Sequence, residues 1–475
     1  MFSSHGKDQR SISKQMSHAI SPMMESLENR QMLSAGLVQR LVDTDGDVVR
    51  LRLAGGGIID TINPATRNIL LTGTGISSVL TITVQRVAGG DGLVTLGEIR
   101  AYGPMLAING PSADITHEIT INDLNGPISR RNKVSMNLGA LKNVAMYTGT
   151  VNGQRIATLQ LADWSMQDAG QQLNAPSIDT FIITGRADVP GTPADESLPG
   201  NSGEAMLIGD SSTNANTISV GTMWIAGSLG DVQASGRIGS ITAGAIFGQM
   251  QASAFGAITV QKVPGSSIAT GRASGAILAT GAPGVSPSIG AVSIGAKAIG
   301  LTISTDALGI GQISIGGRAL NVTVQSARAL GSMSVGLSLD GSRIQTRHNV
   351  GSISVGGMSD TAIQIGVGRG FPGVATSAVD FATAGAALSS FVVTGIPGQA
   401  PTTPWIRGLN KLSAARVGTM SLRNIDGADS LQMFVLDAGS PAQVGYTDVA
   451  NPAASFLWQP GRRMRPMLAA MLHHV

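Results

Sequence analysis

Gly290-Ala291-Val292-Ser293-Ile294-Gly295 is followed by Gly311-Gln312-Ile313-Ser314-Ile315-Gly316, Gly331-Ser332-Met333-Ser334-Val335-Gly336 and Gly351-Ser352-Ile353-Ser354-Val355-Gly356, at steps of 21, 20 and 20 residues. A fixed period of this length, built from a short strand and glycines, is the signature of a solenoid in which each repeat is one coil stacked on the last. In every copy the apolar residues sit two apart with a serine between them, which specifies one apolar face and one wet face. The residues before the leading glycines, Ile289, Ile310, Leu330 and Val350, are also apolar and lie three positions from the next inward residue. That phase break predicts a corner at the glycine. A second strand follows in each coil, at Leu301-Thr302-Ile303 and Val322-Thr323-Val324, with Ile344 and Ile365 holding nearly the same place in the next two. Stacking puts Ser293, Ser314, Ser334 and Ser354 in an outward ladder and the branched aliphatics in inward ones. The fold expected is all-β, a right-handed parallel β-helix. An antiparallel barrel fits worse, because hairpins demand turn pairs such as Asn-Gly at short intervals.

Looser copies extend the pattern upstream at Leu229-Gly230-Asp231-Val232, Ile238-Gly239-Ser240-Ile241-Thr242 and Phe255-Gly256-Ala257-Ile258-Thr259-Val260, and downstream at Val417-Gly418-Thr419-Met420-Ser421-Leu422. The β-helix is therefore assigned to 105–396. A Pro-, Gly- and acid-rich stretch from Ala187 to Glu204 marks a loop insertion near 187–216. Residues 37–104 read as a turn then a strand over Val42–Leu53, with further strands at Asn68–Thr72, Val79–Val84 and Leu93–Ile99, a small N-terminal β domain or cap, since an exposed coil end would offer unpaired strands to other molecules. Residues 397–475 supply a last coil, a cap and a short basic tail, in which Gly461-Arg462-Arg463-Met464-Arg465-Pro466 precedes the apolar run 467–472.

Composition agrees with a narrow core. Glycine supplies 63 of 475 residues and aromatic residues only 3%, so few large rings need a place inside the coils. The net charge is +3 and no basic run is interleaved with aromatics, which argues against a nucleic-acid partner. The absence of cysteine excludes disulfides, thiolate metal sites and cysteine nucleophiles. No run of eighteen apolar residues occurs, so no transmembrane segment is expected.

The segment Met24-Glu25-Ser26-Leu27-Glu28-Asn29-Arg30-Gln31-Met32-Leu33-Ser34-Ala35 resembles the Leu-Glu-x-Arg-x-Leu-Leu-Ser leader at the start of many exported surface proteins of planctomycete type. Asn29 stands where proline or glutamate is more typical, and Met32 replaces one leucine. The stretch from Asp43 to Tyr102 also resembles segments that open β-helical surface proteins of that group. The resemblance implies that residues 1–36 are an export leader and that the chain works at the cell surface or outside the cell.

Asp43, Asp45 and Asp47 are spaced like the first three ligands of a calcium loop. The glycine then falls at the fourth position rather than the sixth, and Ala54 stands where a bidentate glutamate belongs. They are candidate calcium ligands, set against an Asp-Gly turn joining two strands. In the coils 286–366, Asp340 and Asp360 lie nine residues after their leading glycines and are expected to stack at one corner. Lys297 and Arg318 share another offset, and Asp306, Arg328 and Arg347 are expected to form an exposed ion-pair ladder worth only about 0–1 kcal/mol per pair. No histidine, serine or carboxylate set has the spacing of a catalytic or metal-binding group beyond these.

Three functions follow as expectations. The first is a non-enzymatic extracellular or cell-surface structural or adhesive protein, whose partners would be envelope or extracellular polysaccharide or other surface proteins. The second is a β-helix polysaccharide lyase or glycoside hydrolase, which requires carboxylates converging on an outer face. The third is binding to an ordered surface, glycan or ice, through the Ser/Thr ladder, against which stands the single outward hydroxyl expected of each strand.

Overall fold

The computed structural model describes residues 37–448 and 456–458, apart from 122–131, 149–152, 166–172, 189–196, 203–205, 210–216, 263–269, 282–285, 374, 376, 401–402, 426–430 and 436–442. The leader, the basic tail and much of the insertion lie outside the described residues. Among those described the chain is built from short β-strands, with one 3-10 turn at Ala378–Asp380.

The strands stack in long, mostly parallel ladders, an arrangement compatible with a β-helix. In the regular coils the first ladder runs through Ile289–Ile294, Ile310–Ile315, Leu330–Asp340 and Val350–Ser359. Val292, Ile313, Met333 and Ile353 are in direct register, and each is buried. The period-two pattern thus delivers the inward stack it specifies. A second, very short ladder passes through Ala298–Ile299, Ala319–Leu320 and the end of Leu330–Asp340. The third contains Thr302–Thr305, Thr323–Ser326, Arg343–Thr346 and Ala362–Ile365. Here Ile363, not Ile365, is level with Ile344, while Ile365 pairs with Thr346. The coil after Val350 is one residue shorter across a bulge between Val335 and Ser338, which displaces the count.

The corner expected at the leading glycine is absent. Gly290, Gly311, Gly331 and Gly351 lie inside the first-ladder strands, where the in–out alternation slips by one so that Ile289 and Val292 are both buried. A Cβ there would come within 2.1–2.2 Å of the carbonyl oxygen of the glycine one coil before, so close backbone approach is what demands glycine. In the four regular coils the left-handed corner lies nine or ten residues further on, between the second and third ladders, and Gly408 continues it in the next. Gly300, Asn321, Gly341, Asp360 and Gly408 follow one another there with φ of 62°, 53°, 57°, 49° and 65°. Asn and Asp are the side chains that best tolerate this conformation.

Polar residues enter the third ladder at its end. The Thr305 hydroxyl donates to the Leu308 carbonyl (2.5 Å), Ser326 to Ala329 (3.1 Å) and Thr346 to His348 (2.8 Å). Each buried hydroxyl satisfies the turn that leads back to the first ladder.

Upstream, parallel stacking begins where Val79–Gln85 meets Ala107–Gly110 and Ile69–Thr72 meets Val94–Ala101. Before that the pairing is antiparallel, in Leu37–Val42 with Val48–Ala54, Val48–Ala54 with Val79–Gln85, and Ile58–Ile62 with Ile69–Thr72. Downstream, Ala387–Val393, Arg416–Ile425 and Gln443–Asp448 continue the first ladder, and Phe456–Trp458 then pairs antiparallel with the last of these. One hydrophobic cluster runs from Val49 to Leu431. The region 187–216 is not a single excursion. Arg186 and Leu198 close a loop by mutual backbone hydrogen bonds (3.0 and 2.8 Å), and Met206–Ile208 returns to pair with Leu173–Ala175 and Val232–Ala234.

Candidate functional site

The turn Asp43–Asp47 joins two antiparallel strands, with Asp43 N donating to the Asp47 carbonyl at 2.8 Å. The Asp43 carboxylate pairs with Arg67 and accepts from Thr44 N (2.5 Å), and so lies outside the cluster below. Asp45 and Asp47 instead meet Asp91, their ligand atoms lying within 4.8 Å of one another. Asp47 is fully buried and accepts N–H bonds from Val87 (2.7 Å) and Gly92 (2.6 Å). Asp45 accepts from Asp91 N (2.9 Å) and Asp47 N (3.2 Å), and Asp91 accepts from Leu93 N (2.7 Å). The loop 87–92 is therefore folded around carboxylates. Gly90 is compulsory in it, since a Cβ would lie 1.9 Å from Asp47 Oδ1. The backbone N–H of Asp91 chiefly holds the Asp45 carboxyl below its ordinary range. Burial, reinforced by the neighbouring Asp45 charge, pushes that of Asp91 up. Oxygen donors of this kind suit a hard cation such as calcium, and the converging set is Asp45, Asp47 and Asp91 rather than Asp43, Asp45 and Asp47. Asp91 escapes sequence reading because more than forty residues separate it from the turn; its one signal is Gly89-Gly90-Asp91-Gly92.

Asp340 and Asp360 line one surface cleft of about 640 Å³ with Arg318 and Arg407, but they do not share a column. Asp340 is level with Ser359, and Asp360 occupies the left-handed corner one residue later. Asp340 accepts from Arg318 Nε (2.5 Å) and Ser338 Oγ (2.6 Å). Asp360 accepts from Leu409 N (3.0 Å) and Ser359 Oγ (2.8 Å), and the Leu409 N–H chiefly holds its pKa down. Each carboxylate thus has its own hydrogen-bond partners. Asp306 pairs with Arg369 instead of joining a ladder with Arg328 and Arg347.

A denser charge group sits where the insertion leaves the coils. Asp114 takes a two-pronged contact from Arg186 (2.8 and 3.1 Å), the Ala140 N–H (2.8 Å) and Lys142 Nζ (3.1 Å). Asp163 accepts from Asn201 N at 2.6 Å, and burial raises its pKa. Both carboxylates are only 3% exposed, which makes them props of the corner rather than groups open to a polymer.

The first ladder presents a different surface. Two outward columns run along it in unbroken register. One passes through Ser135, Thr158, Thr180, Thr222, Ser240, Ala257, Ala291, Gln312, Ser332, Ser352, Ser390 and Thr419. Its neighbour passes through Asn137, Gln160, Ile182, Trp224, Thr242, Thr259, Ser293, Ser314, Ser334, Ser354, Val392 and Ser421. Neither column contains a charged residue. The strands Ser240–Thr242, Ser332–Ser334, Ser352–Ser354 and Thr419–Ser421 each offer two outward hydroxyls, which corrects the expectation of one per repeat there, while Ala257/Thr259, Ala291/Ser293 and Gln312/Ser314 keep a single one. The period-two rule itself holds the missing signal, at the position between the leading glycine and the first inward residue. Trp224 stands in this face, 37% exposed.

Comparison with protein families, with curated proteins and with solved structures found no match to this chain. Among the described residues no helix is long and apolar enough to cross a membrane.

Proposed function

We propose that the chain is an exported, non-enzymatic protein that serves as a structural or adhesive element at the cell surface or outside the cell. In this reading it is a right-handed β-helix whose N-terminal antiparallel strands act as the cap, and the Leu27–Ala35 segment directs export. The observation that carries the reading is the charge-free pair of columns along the first ladder, which offers contact area over many coils rather than a point of reaction. Asp340 and Asp360, the carboxylates in the open cleft, support it by each having separate partners. Fractionation of cells expressing the intact chain and a variant lacking residues 24–35 tests it: the intact protein is expected outside the cytoplasm and the variant inside. Retention of the intact chain overturns the export reading, and turnover of a polysaccharide that is abolished by Asp340→Ala or Asp360→Ala overturns the non-enzymatic one.

A second reading, binding to an ordered uncharged surface such as a crystalline glycan or ice, is favoured by the strands that offer paired hydroxyls at the inter-strand repeat of about 4.8 Å. Retention of the protein on crystalline cellulose or on growing ice, lost on replacing Ser332 and Ser352 with lysine, is the outcome this reading expects.

A further inference from the structure

We infer that the corner leading from the third ladder back to the first holds a cleft for an acidic polysaccharide, whose carboxylates are taken by Arg328 and Arg347. This rests on the surface-protein reading above and names a partner for it. The cleft has a volume of about 620 Å³ and is lined by Asp306, Arg328, Arg347, His348 and three alanines. Thr305, Ser326 and Thr346 are in register at the end of the third ladder, so the residues that follow them face the cleft from successive coils. His348 N donates to the Arg328 carbonyl at 3.3 Å, which brings the two onto adjacent rungs, about 4.8 Å apart.

The charges at this corner do not balance. Its one carboxylate among the described residues, Asp306, is taken by Arg369, which reaches back from the segment following Ala362–Ile365. The guanidinium groups of Arg328 and Arg347 have no ion pair or hydrogen bond among the described residues. Like charges on neighbouring strands repel, and at the Asp340 corner the same coils supply Arg318 with a carboxylate 2.5 Å away. An external anion would complete the arrangement. A guanidinium is a planar fork that matches a carboxylate with two parallel hydrogen bonds, and the alanine lining leaves room for a sugar ring. The space exceeds what a single small anion fills. Ala329 directly precedes Leu330 of the first ladder, so a polymer leaving the cleft would pass onto the uncharged hydroxyl face.

Calorimetric titration of the full chain with polygalacturonate, dextran sulfate, unmodified dextran, duplex DNA and inorganic phosphate tests this. Polygalacturonate is expected to bind with an affinity that falls as salt rises. The double variant Arg328→Gln/Arg347→Gln should weaken it at least tenfold, while Arg318→Gln leaves it unchanged; thermal melts of all three proteins check that the coils remain folded. Dextran should not bind. Unchanged affinity in the double variant overturns the assignment, as does equal weakening by Arg318→Gln. Binding of dextran sulfate without polygalacturonate overturns the carboxylate in favour of a sulfate ester. Equal competition by phosphate or DNA reduces the cleft to a general anion site and overturns the polysaccharide. Should the double variant fail to fold, single substitutions at Arg328 and Arg347 give the same comparison. Fractionation is untouched by these variants, so failure here and failure of the surface reading are separate results.

Discussion

Asp114 is almost out of reach of water, and burial alone would favour its neutral form. The Arg186 guanidinium, the Ala140 N–H and the Lys142 ammonium outweigh that effect and hold its carboxyl below the ordinary value of 3.8. A carboxylate depressed in this way stabilises the folded state above its unfolded pKa, and the contribution is lost as pH falls through the lower folded value. Asp114→Ala is expected to cost about 3–5 kcal/mol near neutral pH, the loss typical of breaking a buried pair. Denaturant melts should show the gap between wild type and variant closing as pH drops below about 4; a gap constant with pH would mean that the charge does not matter. Asp114, Asp163 and Arg186 carry no common sequence signal, because the coils bring together positions up to 72 residues apart. Their meeting depends on the lengths of the intervening coils, which are irregular before residue 286.

Alternation within the strand fixes which side chains face inward, and this was legible from four short phrases. Ile313 is buried, whereas Ser314 lies on the wet face. Ile313→Asp is therefore expected to destabilise by at least about 3 kcal/mol, and Ser314→Asp to stay within about 0.5 kcal/mol. Equal shifts in denaturant midpoint would overturn the assigned facing. What was not legible is finer. The phase break across the leading glycines suggests a corner in sequence, because the apolar residues on either side of them are out of phase. The strand absorbs that break by pressing its backbone against the glycine of the coil before. The Asp340 and Asp360 offsets were equal in sequence, yet a bulge in one coil placed them in different columns. Counting residues locates a coil, while bulges decide the rung. The calcium candidates show the same limit: local spacing suggested Asp43, but a loop from the next strands supplied Asp91.

Across the described residues, rungs of each ladder pair with the rungs before and after them, and one hydrophobic cluster extends from Val49 to Leu431. Stability in such a stack is approximately a sum of nearest-neighbour terms. The hydrogen bonds between rungs point along the stack, because strands run across it. A load applied between the two ends would then concentrate on the outermost rung and open the bonds of one coil before the next, as a zipper does. In single-molecule stretching, the regular region is expected to give a sawtooth in which each event releases one coil of about 20 residues, roughly 70 Å of extended chain at about 3.3–3.6 Å per residue. A single rupture releasing all the coils at once would show instead that they fail as one body. Progressive yielding of this kind dissipates work over a long extension, so an anchored rod could remain attached through repeated partial opening and re-closing.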